Sequence, residues 1–234
     1  MTQQSQTVAI RVPIGTEALS ADLSLPPEPR GLVIFAHGSG SGRHSPRNQL
    51  VARTLQARGF ATLLADLLTE RDEAIDRTTG ALRFDIELLG RRVVALIDWA
   101  RARPDLRLLP IGLFGASTGA AAAIVAAAAR PRDVAAIVSR GGRPDLAGPA
   151  LRMATAPTLL LVGGLDSVVI DLNREAGARM RAEGRLEIVS GATHLFEEPG
   201  TLERVAARAG EWFANYLHPP GRSPSGKEHQ DVTA

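Results

Sequence analysis

The run Gly115-Ala116-Ser117-Thr118-Gly119 sets a serine among small residues, after an apolar stretch at 111–114 and before an alanine-rich stretch ending at 129. A strand that turns sharply into a helix needs small neighbours at the turn, and it lifts its central side chain above the sheet edge. A serine held there is a candidate nucleophile. The helix behind it brings free N–H groups and a positive dipole end to the place where an oxyanion would develop. The Thr118 N–H is one expected oxyanion donor. The bland alternative is a serine that merely caps a helix. The five-residue pattern does not separate the two, but its strand-to-helix position favours the catalytic one.

A serine hydroxyl is a weak nucleophile at its own pKa and needs a base, which in turn needs an orienting group. Such a turn resembles the nucleophile turn of the α/β-hydrolases, in which the acid and then the histidine follow the serine along the chain. Of the five histidines, His37 and His44 precede Ser117, and His218 and His229 lie at or in a polar tail. His194, in Ser190-Gly191-Ala192-Thr193-His194-Leu195-Phe196, follows the last expected strand and is the expected base. Asp166 follows the apolar run 158–162 and the turn Gly163-Gly164-Leu165, at the sheet edge where such sites form. It is the expected acid, fixing the tautomer of His194 and stabilising the imidazolium. Asp171 is the main rival, though it suits a helix cap better, and Asp145 is a weaker one.

A second oxyanion donor is expected from the loop after an early strand. The stretch 32–36 runs into His37-Gly38-Ser39-Gly40-Ser41-Gly42, where small residues let backbone approach a substrate closely. The Ser39 N–H is the expected donor. The loop lacks the Gly-Lys-Ser/Thr ending of a Walker phosphate loop. His37, Arg43, His44, Arg140 and Arg143 cluster after strand ends and are candidate substrate-binding residues, with Arg47 close behind. Guanidinium groups pair well with carboxylate or phosphate. The competing reading, favoured by a chain that uses arginine everywhere, is ordinary surface pairing. Asp66, Glu70 and Glu73 near the next strand end receive no role.

The elements that must position these residues alternate between short β-type runs and longer helical patterns, which predicts a mostly parallel sheet covered by helices. Residues 8–12 and 19–25 read as an opening antiparallel pair. Strands are expected at 32–36, 61–65, 111–114, 134–139, 158–162 and 186–189. Helices are expected at 47–58, 84–103, 117–129, 171–183 and 201–217. Residues 69–80 read as charged and irregular. Residues 1–217 read as one domain, with no internal repeat, and 218–234 as a disordered tail.

Composition narrows the classes. The 234 residues are 44% hydrophobic, as in a globular protein, with no apolar run long enough for a membrane span. The start, 1–7, is polar and lacks the apolar core of a signal peptide. With no cysteine, the chain has no disulfide, thiolate metal site or cysteine nucleophile. That fits a reducing compartment, and a cytoplasmic location is expected. The net charge is only +2, and the arginines are interspersed with acids, so no nucleic-acid stripe is visible. No metal-ligand spacing stands out around His37 and His44.

Taken together, His37-Gly38-Ser39-Gly40, Gly115-Ala116-Ser117-Thr118-Gly119, Gly164-Leu165-Asp166 and Ala192-Thr193-His194 resemble the α/β-hydrolases of the dienelactone hydrolase-like type. The resemblance covers roughly 8–217. It implies a three-layer α/β-hydrolase fold with a central sheet of about eight strands, and acyl hydrolysis without a cofactor. Dienelactone hydrolases proper use a cysteine nucleophile, and this chain has Ser117 there. A small carboxylic ester, lactone or thioester is therefore the expected substrate class. Cap domains of the superfamily enter after the strand read here as 134–139. Only 140–156 separates it from the next strand, too little for a full cap, so an open site for small acyl groups is expected. An acyltransferase or peptidase on the same triad, or a non-catalytic binding protein of this fold, are the alternatives.

Overall fold

A computed structural model of the chain describes residues 7–218. In chain order the elements are β1 (Thr7–Ile14), β2 (Glu17–Ser24), β3 (Leu32–Ala36), α1 (Pro46–Ala57), β4 (Ala61–Ala65), α2 (Glu70–Thr79), α3 (Ile86–Ala102), β5 (Ile111–Ala116), α4 (Thr118–Ala129), β6 (Val134–Arg140), α5 (Ala150–Met153), β7 (Thr158–Gly163), α6 (Ser167–Arg179), β8 (Gly184–Val189) and α7 (Thr201–Tyr216). The strands form one eight-stranded sheet in the order β1-β2-β4-β3-β5-β6-β7-β8. Only β1 with β2 and β2 with β4 pair antiparallel, and the rest is parallel.

The short apolar runs are fully buried strands because both sheet faces are covered. Side chains alternate between two cores. Leu32, Ile34 and Ala36 of β3 join Val93, Leu96, Ile97 and the alanines of α4, whereas Val33 and Phe35 join Val51 and Leu55 of α1 and Val205 and Phe213 of α7. Each fully buried Leu or Phe contributes about 1.5–3 kcal/mol. The alanines of α4 let α3 come close. A Cβ added to Gly90 of α3 would stand 2.6 Å from Val125 Cγ1 of α4.

The chain first lays β4 on one side of β3 and then β5 on the other. That reversal opens a crevice beyond the C-terminal ends of β3 and β5, where ligands bind in open α/β sheets. No separate cap covers it. Between β6 and β7 there is only a short 3-10 turn, Pro144–Ala147, and the one-turn α5.

Two expectations need correction. Residues 69–80, read as irregular, contain α2. It lacks an apolar stripe, with Asp76 its only buried residue, and is held instead by its ends: Thr69 and Asp72 form a capping box and Gly80 closes the helix in the left-handed conformation. The helix expected at 171–183 spans Ser167–Arg179, so Asp171 lies inside it and pairs with Arg174 rather than capping. The expected tail, 218–234, lies outside the described residues except for His218. Among the described residues no helix is long and apolar enough to cross a membrane.

Candidate active site

Ser117 joins β5 to α4 with φ 50° and ψ −123°. A non-glycine residue costs about 1–3 kcal/mol in such a conformation, so its surroundings must hold it there. The Ser117 N–H donates to the Arg140 carbonyl at 3.3 Å, and the Ser117 carbonyl accepts from Ala120 and Arg143 N–H groups at 3.1 and 3.0 Å. The flanking glycines are steric requirements. A Cβ on Gly115 would fall 2.5 Å from Ala120 Cα, and one on Gly119 would fall 2.1 Å from the Ala36 carbonyl oxygen.

His194 sits in the loop after β8, and its Nδ1 is 2.7 Å from Asp166 Oδ2. Asp166 occupies the N-cap position of α6 yet makes no side-chain cap bond. Its carboxylate serves the imidazole instead of the helix. With an ionised Asp166, Nδ1 carries the proton and Nε2 is left as the basic nitrogen. The rival acids are used elsewhere: Asp145 pairs with Arg143 and Asp171 with Arg174.

Phe196 and Glu198 fix the His194 loop, and neither was singled out from the sequence. Phe196 is buried with φ 57°, the second non-glycine residue in the left-handed region. Its burial among apolar neighbours was readable in the pattern, but its backbone conformation was not. Glu198 Oε2 accepts the Thr193 N–H at 3.0 Å, and the hydrogen bonds from Thr193 hold its carboxyl below the usual range.

One of the two expected oxyanion donors, the Ser39 N–H, is engaged within the protein. The Ser39 N–H donates to Thr118 Oγ1 at 3.1 Å, and Thr118 opens α4, so its own N–H has no carbonyl partner inside the helix. A cavity of about 210 Å³ is lined by Gly38, Ser39, Arg47, Ser117, Arg140 and His194, among others, and by no Asp or Glu. An adjoining cavity of about 650 Å³ holds His37, Arg43 and His44.

The candidate substrate-binding residues separate sharply. His37 is buried, with Nδ1 2.9 Å from the Gly38 carbonyl and Nε2 accepting the Leu67 N–H at 2.9 Å, which leaves no ring nitrogen free. Burial lowers its pKa, so the ring is neutral and pins the glycine-rich loop to the segment after β4. Arg43 is paired with Asp66 through both side chain and backbone, Arg143 with Asp145, and His44 is largely exposed. Arg140 alone of the five shares the cavity of Ser117 and His194, and Arg47 joins it there.

The profile of the dienelactone hydrolase family matches residues 19–217. The chain belongs to the dienelactone hydrolase family. It is 53% identical to a dienelactone hydrolase from Anabaena variabilis ATCC 29413, with a TM-score of 0.91 over 92% of this chain and 100% of that one. Est1E from Butyrivibrio proteoclasticus, at 19% identity and a TM-score of 0.73 over 88% and 97% of the two chains, shares the fold. A Mycobacterium tuberculosis H37Rv protein that carries the name of a phosphoribosyl transferase is 54% identical over 217 residues, 93% of this chain. The match covers 48% of that protein, so the chain spans about half the length of this relative. Among the described residues of this dienelactone hydrolase family member, no group of three or more His, Asp or Glu is placed to hold a metal ion.

Proposed function

We propose that the chain is a serine hydrolase that cleaves a small carboxylic ester or lactone through an acyl-enzyme on Ser117. His194 is the base and Asp166 its orienting acid. The observation that carries this reading is the 2.7 Å Asp166–His194 contact beside a serine held on a strained strand-to-helix turn. Ser117 Oγ attacks the acyl carbon as His194 Nε2 takes its proton, and the same proton then goes to the leaving alkoxide. Water repeats the cycle in reverse and frees Ser117. Asp166 stays ionised and stabilises the imidazolium. The Thr118 and Ser39 N–H groups receive the tetrahedral oxyanion, which displaces or shares the Thr118 hydroxyl now on Ser39.

A cavity of about 210 Å³ without a cap favours small acyl groups. Activity that rises steadily from acetyl to long-chain esters would contradict that. The serine nucleophile favours an ordinary ester or related lactone over dienelactone itself.

The decisive test is turnover of 4-nitrophenyl acetate and butyrate by the wild type and by Ser117→Ala, with fluorophosphonate labelling of both. The variant is expected to lose labelling and at least about 10⁴-fold in kcat. Unchanged turnover would reduce Ser117 to a helix-start residue. Acyl transfer to another acceptor runs through the same acyl-enzyme, so product partitioning between water and added alcohols tells a hydrolase from an acyltransferase. The phosphoribosyl transferase name belongs to a protein about twice as long as the matched region.

A further inference from the structure

About half of the described arginines pair with a carboxylate; Arg140, the one buried arginine among the described residues, does not. Arg140 ends β6, is only 7% exposed and lines the Ser117 cavity, and its Nη2 donates to Asn48 Oδ1 at 3.3 Å. Its Nε is buried without any partner, and so is the Nε of Arg47. Arg47 enters the same cavity from α1 and reaches one carboxylate, the exposed Glu197, at 3.2 Å. Burial and the neighbouring Arg47 push the Arg140 pKa down to about 10, which still leaves it charged at neutral pH. Arg140, with no carboxylate of its own and a second guanidinium beside it, sits in a cavity whose lining has no acidic side chain, a site short of counter-charge.

From this juxtaposition we infer that Arg140 and Arg47 form a subsite for a phosphoryl group on the acyl side of the substrate, within the cavity that Ser117 and His194 line. This rests on the serine hydrolase reading for the identity of the reacting bond, but not for the binding itself. A phosphoryl dianion answers two cations, whereas a carboxylate answers one. Its three peripheral oxygens also suit donors arriving from two separate elements, while a carboxylate suits a single planar fork. Ser41, on the glycine-rich loop, adds a hydroxyl donor to the same lining.

The test uses Ser117→Ala, which binds without turnover, and titrates it calorimetrically with 3-phosphonopropanoate, succinate and butanoate. The phosphonate is expected to bind at least about tenfold tighter than succinate, and butanoate weakest of all. Adding Arg140→Met, or the more exposed and structurally safer Arg47→Met, is expected to weaken the phosphonate by about tenfold or more. Equal affinity for the three, or phosphonate affinity kept in both double variants, overturns the subsite. Succinate binding as tightly as the phosphonate overturns the phosphoryl assignment. A kinetic arm compares kcat/KM for the phenyl esters of 3-phosphonopropanoic and butanoic acids in the wild type, where the phosphonate ester is expected to lead by about tenfold or more. Failed binding with normal turnover of neutral esters sinks the subsite alone. Intact binding with turnover unaffected by Ser117→Ala sinks the hydrolase reading alone.

Discussion

On one wall of the cavity His194 has Asp166 at 2.7 Å behind it, and in the adjoining cavity His37 has a partner on each ring nitrogen. On the other wall Arg140 has no carboxylate, and two buried Nε atoms have no acceptor. The first wall is complete within the protein, so its geometry is held before any ligand arrives. The second carries buried charge that the fold does not offset, a cost tolerated where a ligand supplies the missing group. Arg43 and Arg143, a few residues away, show that the sequence readily supplies carboxylates when an arginine serves only the structure.

The sharpest break of the complete wall is Asp166→Asn. The amide keeps the shape but reverses the hydrogen-bond demand on Nδ1, favouring the tautomer in which Nε2 cannot take the serine proton. Turnover of aryl esters is expected to fall by about 10⁴-fold. Asp145→Asn and Asp171→Asn, at the two rival positions, are expected to stay within about twofold, since their carboxylates serve Arg143 and Arg174. A similar loss at Asp145 or Asp171 would mean that the acid had been misassigned.

The contrast between walls also makes opposite stability predictions for two arginines. In anion-free buffer, Arg140→Met is expected to stabilise the fold by about 1–4 kcal/mol, because an apolar side chain replaces a buried charge that has no counter-ion. Arg43→Met is expected to destabilise it by about 1–3 kcal/mol, since it strands the largely buried Asp66 carboxylate. Urea unfolding of the three proteins checks both signs. An Arg140→Met protein less stable than the wild type would show that the fold itself offsets the Arg140 charge.

Much of this was legible in the sequence. The five-residue apolar runs at 32–36 and 61–65 are strands because only a sheet covered on both faces buries every side chain of such a run. The pairing of Asp166 with His194 follows from chain order together with strand ends. The helix α2 was hidden because it rests on caps and on ion pairs such as Arg92–Asp72, and neither leaves an apolar period. The start of α6 was placed late because Asp166, at its N-cap, is spent on His194 and not on the helix. What separates Arg140 from Arg43 and Arg143 is the presence or absence of an acid nearby in space, which no spacing along the chain records.

His37, in the adjoining cavity, gives the smallest effect and the finest test of a group whose partners the protein supplies itself. Its pKa is lowered chiefly by burial, against weaker opposing contributions from the Gly38 hydrogen bond, Asp66 and Glu73. A histidine whose folded pKa lies below 6.5 binds its proton better when the chain unfolds. Its stabilising contribution is therefore full above about pH 6.5 and is lost as the pH falls below it, with a slope of at most about 1.4 kcal/mol per pH unit. His37→Gln removes the titration along with at least one of the two ring hydrogen bonds, at a cost of about 1–3 kcal/mol at pH 7.5. The stability gap between wild type and variant is expected to narrow from pH 7.5 to pH 5.5, as read from urea midpoints at each pH. A gap that stays constant would mean that the ring is not held neutral. The glycine-rich loop after β3 would then be pinned by something other than the Leu67 N–H bond to Nε2.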